Sequence, residues 1–131
     1  MSDSTYYSRM VDEVKIDNKP ERKQLVWLKV DIKTPPFTAA GRREAGRLLA
    51  RLQEGESLPM PTSRPMPSIG KGCHELRVRD GEHNWRIFYR IDSEFIMIVE
   101  VCPKKTAKTP KPVIELCQNR LATFDKAKKG K

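Results

Sequence analysis

The residues of this chain best equipped for chemistry are cations, spaced along short alternating stretches. "CHELRVR" (73–79) sets Cys73, Glu75, Arg77 and Arg79 against His74, Leu76 and Val78. "NWRIFYRI" (84–91) sets Arg86 and Arg90 against Trp85, Ile87 and Tyr89. Successive side chains of an extended strand point to opposite faces, so each stretch offers a basic face and an apolar one. "PKK" (103–105) adds Lys104 and Lys105 at the end of a third run, "FIMIVEVC" (95–102). Guanidinium groups crowded on one face repel one another unless an anion neutralises them, and arginine forks bidentately onto phosphate. The competing arrangement is a solvated face on which the arginines pair with Glu75, Glu82, Asp92, Glu94 and Glu100.

Other chemistries are poorly supplied. The chain has no Walker loop and no H-E-x-x-H, and its two histidines, His74 and His83, do not make a metal set. No metal and no cofactor are expected. Cys73, Cys102 and Cys117 are odd in number and lack C-x-x-C spacing, so reduced, buried and inert thiols in a cytoplasmic protein are expected. Cys73 and His74 are adjacent and point to opposite strand faces, which argues against a Cys–His pair.

The 131 residues carry 26 Lys and Arg against 17 Asp and Glu, a net charge of +9. This balance favours a polyanionic partner, and removing the four lysines of "KAKKGK" (126–131) still leaves the chain basic. No apolar run approaches the length of a membrane span and the start lacks an apolar leader core, so no membrane association is expected.

The elements that position these cations follow from periodicity. Residues 1–24 are polar without a repeat and read as a flexible arm. "LVWLKVDIK" (25–33) alternates as a half-buried strand and is ended by "TPPFT". From Thr38, a plausible N-cap, the apolar period lengthens: Ala45, Leu48, Leu49 and Leu52 share a helical face. Arg43, Arg47 and Arg51 stack on another, Gly41 and Gly46 weaken the helix, and Gly55 closes it. "SLPMPTSRPMPSIGKG" (57–72), with four prolines, reads as a long loop. Asp80-Gly81 opens a hairpin turn, "DSE" (92–94) makes another, and the strand at 95–102, apolar on both faces, belongs mid-sheet under a helix. "TPKPVIELCQNRLATF" (109–124) starts a helix with Thr109 as N-cap and Pro110 at its first position, and lines Ile114, Cys117, Leu121 and Phe124 on one face. The expectation is a small α+β domain over 25–125. Its twisted, mainly antiparallel sheet has one N-terminal strand and a three-strand meander, helices pack on one side, and a basic tail follows at 126–131.

"KTPPF" (33–37), "GRREAGRLLARLQEGE" (41–56), "SRPMPSIG" (63–70), "CHELRVRD" (73–80), "WRIFYRID" (85–92) and "KKTAKTP" (104–110) occur in an order that resembles the RelE/HigB-like toxins of bacterial type II toxin–antitoxin pairs, most closely their phage-derived branch. The resemblance implies an endoribonuclease that cuts mRNA on the ribosome without a metal, restrained by an antitoxin with a helix-turn-helix part. In that chemistry the substrate's 2′-OH attacks the adjacent phosphate, leaving a 2′,3′-cyclic phosphate and a 5′-OH. Arg77 falls in the family's K/R-x-R pattern, Arg86 in its Y/W-R-x-x-Y pattern, and Lys104 and Lys105 on its basic pair. Arg86 is then expected to stabilise the transition state while Arg77 and Lys105 hold the phosphate. Arg79, Arg90, Lys104, Lys108, Arg47 and Arg51 are expected to bind RNA phosphates. Relatives often carry Tyr or His after the basic pair. "TAKTPKPVIEL" (106–116) has neither, which leaves His74, Tyr89 and His83 as alternatives for proton transfer. A non-catalytic RNA- or antitoxin-binding module of the same fold is the alternative function.

Overall fold

The computed structural model describes residues 22–28 and 37–129. Residues 29–36, where the first expected strand continues, and residues 1–21 of the expected arm lie outside them. Strand β1 (Gln24–Trp27) opens the described chain, followed by helix α1 (Ala39–Gln53) and a short strand β2 (Ser63–Pro65). The meander β3 (Cys73–Asp80), β4 (His83–Ile91) and β5 (Phe95–Pro103) comes next, and helix α2 (Lys111–Lys129) closes it. The five strands form one sheet in the order β1-β5-β4-β3-β2. β1 runs parallel to β5, and every other pairing is antiparallel.

Local chemistry sets the boundaries of α1. The Thr38 hydroxyl accepts from the Gly41 N–H at 3.1 Å, as a capping side chain should. At the other end Gly55 takes φ +91°. Its N–H reaches the Leu52 carbonyl at 3.0 Å, and Glu56 N–H reaches that of Arg51 at 3.1 Å, the paired bonds of a Schellman motif. Gly81 takes φ +65° in the two-residue turn between β3 and β4, which explains why Asp-Gly forms the hairpin.

The α+β class and the antiparallel meander are as expected, and β5 sits inside the sheet between β1 and β4. The helices, however, cover opposite faces rather than one. Ala45, Leu48, Leu49 and Leu52 of α1 pack with Leu76, Val78, Trp85, Ile87, Tyr89, Ile96 and Ile98. Cys117 and Leu121 of α2 pack with Cys73, Phe88 and Val99, which alternate with that first set. Burying Phe88 and Val99 requires a second cover, because neither can turn to the α1 side without a register slip. A register shift between Phe88 and Tyr89 leaves Val99 unpaired opposite β4 and adds it to the second cluster.

Two boundaries also move. Thr109 does not cap α2, since its hydroxyl is buried without a hydrogen-bond partner; the Pro110 carbonyl instead accepts from Val113 and Ile114. The helix runs on to Lys129, through most of the segment expected to be a tail. No described helix is long and apolar enough to cross a membrane.

Candidate functional site

Hairpin register settles which cations share a face. Arg77 lies directly opposite Arg86, Arg79 opposite Asn84 and Cys73 opposite Arg90. In the middle of that basic face stands Glu75, fully buried. Its carboxylate meets Arg86 Nε at 2.5 Å, Arg64 Nη2 at 3.0 Å and Arg77 Nε at 3.7 Å.

Arg86 is itself only 1% exposed. Its Nη2 donates to the carbonyls of Thr106 at 2.5 Å and Ala107 at 3.3 Å. A guanidinium so enclosed does not reach a molecule on the surface. Arg86, expected to contact the reacting phosphate, is thus enclosed, and its guanidinium clasps the turn that follows Lys104 and Lys105. That turn is held a second time by Lys104, whose N–H donates to Asn84 O at 2.8 Å and whose Nζ donates to Thr106 O at 3.3 Å. Thr106 Oγ1 closes it onto Lys108 O at 2.5 Å.

The accessible cations gather at the sheet edge beside α1. β2 pairs with β3 over His74–Leu76 and Thr62 O takes the Arg77 N–H, so the strand beyond Arg77 is an open edge. A cleft of about 340 Å³ lies there, lined by Arg47 and Arg51 of α1, Arg77 and Arg79 of β3, and Lys104, with Glu44 the one acid among the described residues. A neighbouring cavity of about 380 Å³ is lined by Glu82, His83 and Lys105, and shares Asn84 and Lys104 with the cleft. Arg47 and Arg51 form exposed pairs with Glu44 at 2.8 Å and Glu56 at 2.9 Å. Exposed pairs contribute only about 0–1 kcal/mol and yield readily to a stronger anion.

Of the expected site residues, Arg47, Arg51, Arg77, Arg79, Lys104 and Lys105 are thus brought together. Lys108 is exposed and lines neither cavity. Arg90 shares the sheet face of Arg77 and Arg86 but sits at the far end of β4, where both Asp92 and Asp125 chelate it at 2.8–3.0 Å. Those two carboxylates, Asp125 foremost, push its pKa further up. Among the proton-transfer alternatives, His74 stacks on Tyr89 with 5.2 Å between ring centroids, on the face opposite Arg77. Tyr89 is 2% exposed, shares a 2.6 Å hydrogen bond with Ser63 Oγ, and has its pKa raised by burial. His83 alone of the three lines the basic cavities.

Sequence reasoning did not single out Arg64. It lies in a three-residue strand inside a proline-rich segment, and neither alternation nor length marks so short a strand. Asn84, the ladder partner of the exposed Arg79, was also passed over, although the Asp-Gly hairpin fixed that pairing. No group of three or more His, Cys, Asp or Glu among the described residues is placed to hold a metal ion.

The fold and site together define a small α+β protein with a cationic cleft at one sheet edge. Residues 36–122 match the family described as phage derived protein Gp49-like (DUF891), and the chain belongs to that family. It is a family associated with toxin–antitoxin systems. The matched span begins just ahead of α1 and ends within α2, so it contains the whole cleft. No match was found among curated proteins.

Proposed function

We propose that this protein is the toxin of a toxin–antitoxin pair, an endoribonuclease that cuts mRNA on the ribosome through attack of the substrate's own 2′-OH. One observation carries the proposal: Arg47, Arg51, Arg77, Arg79 and Lys104 converge on a single cleft whose described lining holds one acid. A phosphodiester in the cleft meets guanidinium forks suited to its oxygens and to the extra charge of the phosphorane. As the 2′-oxygen bonds to phosphorus, the bond to the 5′-oxygen breaks, leaving a cyclic phosphate and a 5′-OH. One group must take the 2′-OH proton and another must return a proton to the 5′-oxygen. His83 and Lys105, which both line the adjoining cavity, are the groups proposed for those tasks. Arg77, Arg79 and Lys104 hold the phosphate, and Arg86 fixes the turn from behind.

An unrestrained toxin harms its own cell, so the proposal includes an antitoxin whose acidic side chains cover this cleft. The absence of Tyr and His from the turn after Lys105 favours a second function, a non-catalytic RNA- or antitoxin-binding module. Inducing the protein in a bacterium and mapping transcript ends by primer extension separates the two. The toxin arrests growth and leaves cut transcripts, and R77A/R79A lowers cutting by about 100-fold or more while the protein stays folded. Retention of RNA with steep salt dependence and no cyclic-phosphate ends establishes the binding module instead. Undiminished toxicity of R77A/R79A removes the cleft from the mechanism.

A further inference from the structure

We propose that Arg64 and Arg77, joined over the buried Glu75, form a second phosphate subsite, taking the phosphate next to the one held in the cleft. This rests on the cleft being an RNA site, and it extends that site across β3 onto β2.

The charge on this patch is unbalanced. One carboxylate meets three guanidinium groups, so among the described residues two positive charges remain without a counter-charge there. The hydrogen bonding is also imperfect: the Nε–H groups of Arg64, Arg77 and Arg86 and both oxygens of Glu75 are buried without an aligned partner, so one carboxylate does not satisfy three guanidinium groups at once. Three guanidinium groups over one carboxylate make a patch suited to a further oxyanion. Arg86 is sealed beneath, but the side chains of Arg64 and Arg77 remain 32% and 33% exposed.

The two arginines are held by backbone rather than by chance rotamers. Arg64 lies opposite Glu75 in the β2–β3 ladder, and Arg77 N–H donates to Thr62 O at 2.8 Å. Glu75 then pins both guanidinium groups on the same sheet face, which reduces the ordering cost when a ligand binds. Arg77 also lines the cleft, whereas Arg64 does not. The shared arginine makes the two subsites neighbours, so they suit consecutive phosphates of one single strand rather than two unrelated anions.

The test measures binding apart from cutting. A short single-stranded RNA with 2′-O-methyl at every ribose has no free 2′-OH to attack, and its affinity for the full chain is followed by fluorescence anisotropy across salt concentrations. Arg64→Gln weakens binding roughly tenfold and reduces the slope of log affinity against log salt by about 0.7. Arg43→Gln, an exposed charge loss on α1 outside the cleft, leaves the slope unchanged. An unchanged slope for Arg64→Gln, or equal losses in both variants, overturns the subsite. Should circular dichroism show that Arg64→Gln has lost its fold, the parent protein decides: the Nε–H resonances of Arg64 and Arg77 move together as the oligonucleotide is added, and fixed resonances overturn the proposal. Slope loss at Arg64 in a protein that never cuts RNA upholds the subsite and removes the nuclease; cutting without slope loss does the reverse.

Discussion

At the scale of single residues, Asp80 joins three elements. It accepts from Thr38 N–H at 2.9 Å, from the Thr38 hydroxyl, and from Trp85 Nε1 at 3.3 Å. The Thr38 hydroxyl above all, then the Thr38 N–H, holds its carboxyl below the usual carboxylate range. A carboxylate whose pKa falls on folding stabilises the fold above its unfolded pKa, about 3.9, and loses that contribution as pH falls through the folded value. Asp80→Asn therefore melts below the parent at pH 7, and the gap narrows on acidification from about pH 4 downward. Melting curves across pH check this, and a gap independent of pH would mean that the ionised carboxylate is not what matters. Glu75 differs in kind: removing it strands the enclosed Arg86 charge, at a cost of about 3–5 kcal/mol, while removing Arg86 empties a buried site and unpairs the Thr106 and Ala107 carbonyls. Loss of toxicity in Arg86→Ala would consequently report on folding as much as on chemistry.

At the scale of elements, α1 contains two glycines with opposite meanings. Gly46 is exposed, and a Cβ there meets nothing within 4 Å. Gly46→Ala should stabilise the protein by up to about 1 kcal/mol through helix propensity alone. A Cβ on Gly41 falls 2.4 Å from Asp80 Cγ, in the space the carboxylate uses to reach Thr38. Gly41→Ala should lower the melting temperature despite the same gain in propensity, and denaturation of both variants tests the opposite signs. The sequence treats these glycines alike, since propensity is local and the Asp80 contact spans the fold. The same division governs what was legible. The α1 cap, the Asp-Gly hairpin and the alternation of Arg77 with Val78 follow from neighbours in the chain. The opposite placement of α2, the strand at Arg64 and the enclosure of Arg86 beneath Thr106 depend on contacts between distant segments. The sharing of a face by Arg77 and Arg86 was inferable, but their common carboxylate was not.

At the scale of the whole molecule, helices on both sides of the sheet seal one interior away from the basic edge. Burial, reinforced by Glu100, pushes the Cys102 thiol up to about 11 and the Cys117 thiol up to about 12. Burial raises Cys73 as well. Thiolate is the reactive form, so the native protein should resist iodoacetamide at pH 8 and take it up once unfolded, with Cys117 the slowest in the native state. Rapid labelling of Cys117 by mass spectrometry would show that α2 opens readily. The sheet's parallel edge has a bearing on assembly. Gln24 must find Phe95, almost the full span of the sheet-forming chain away, whereas the meander joins strands adjacent in sequence. Loop closure over that distance is slow. During synthesis β1 has to wait for β5 to leave the ribosome, so it is the last of the strands to dock, and its release leaves the opposite border of the sheet, with the cationic cleft, intact.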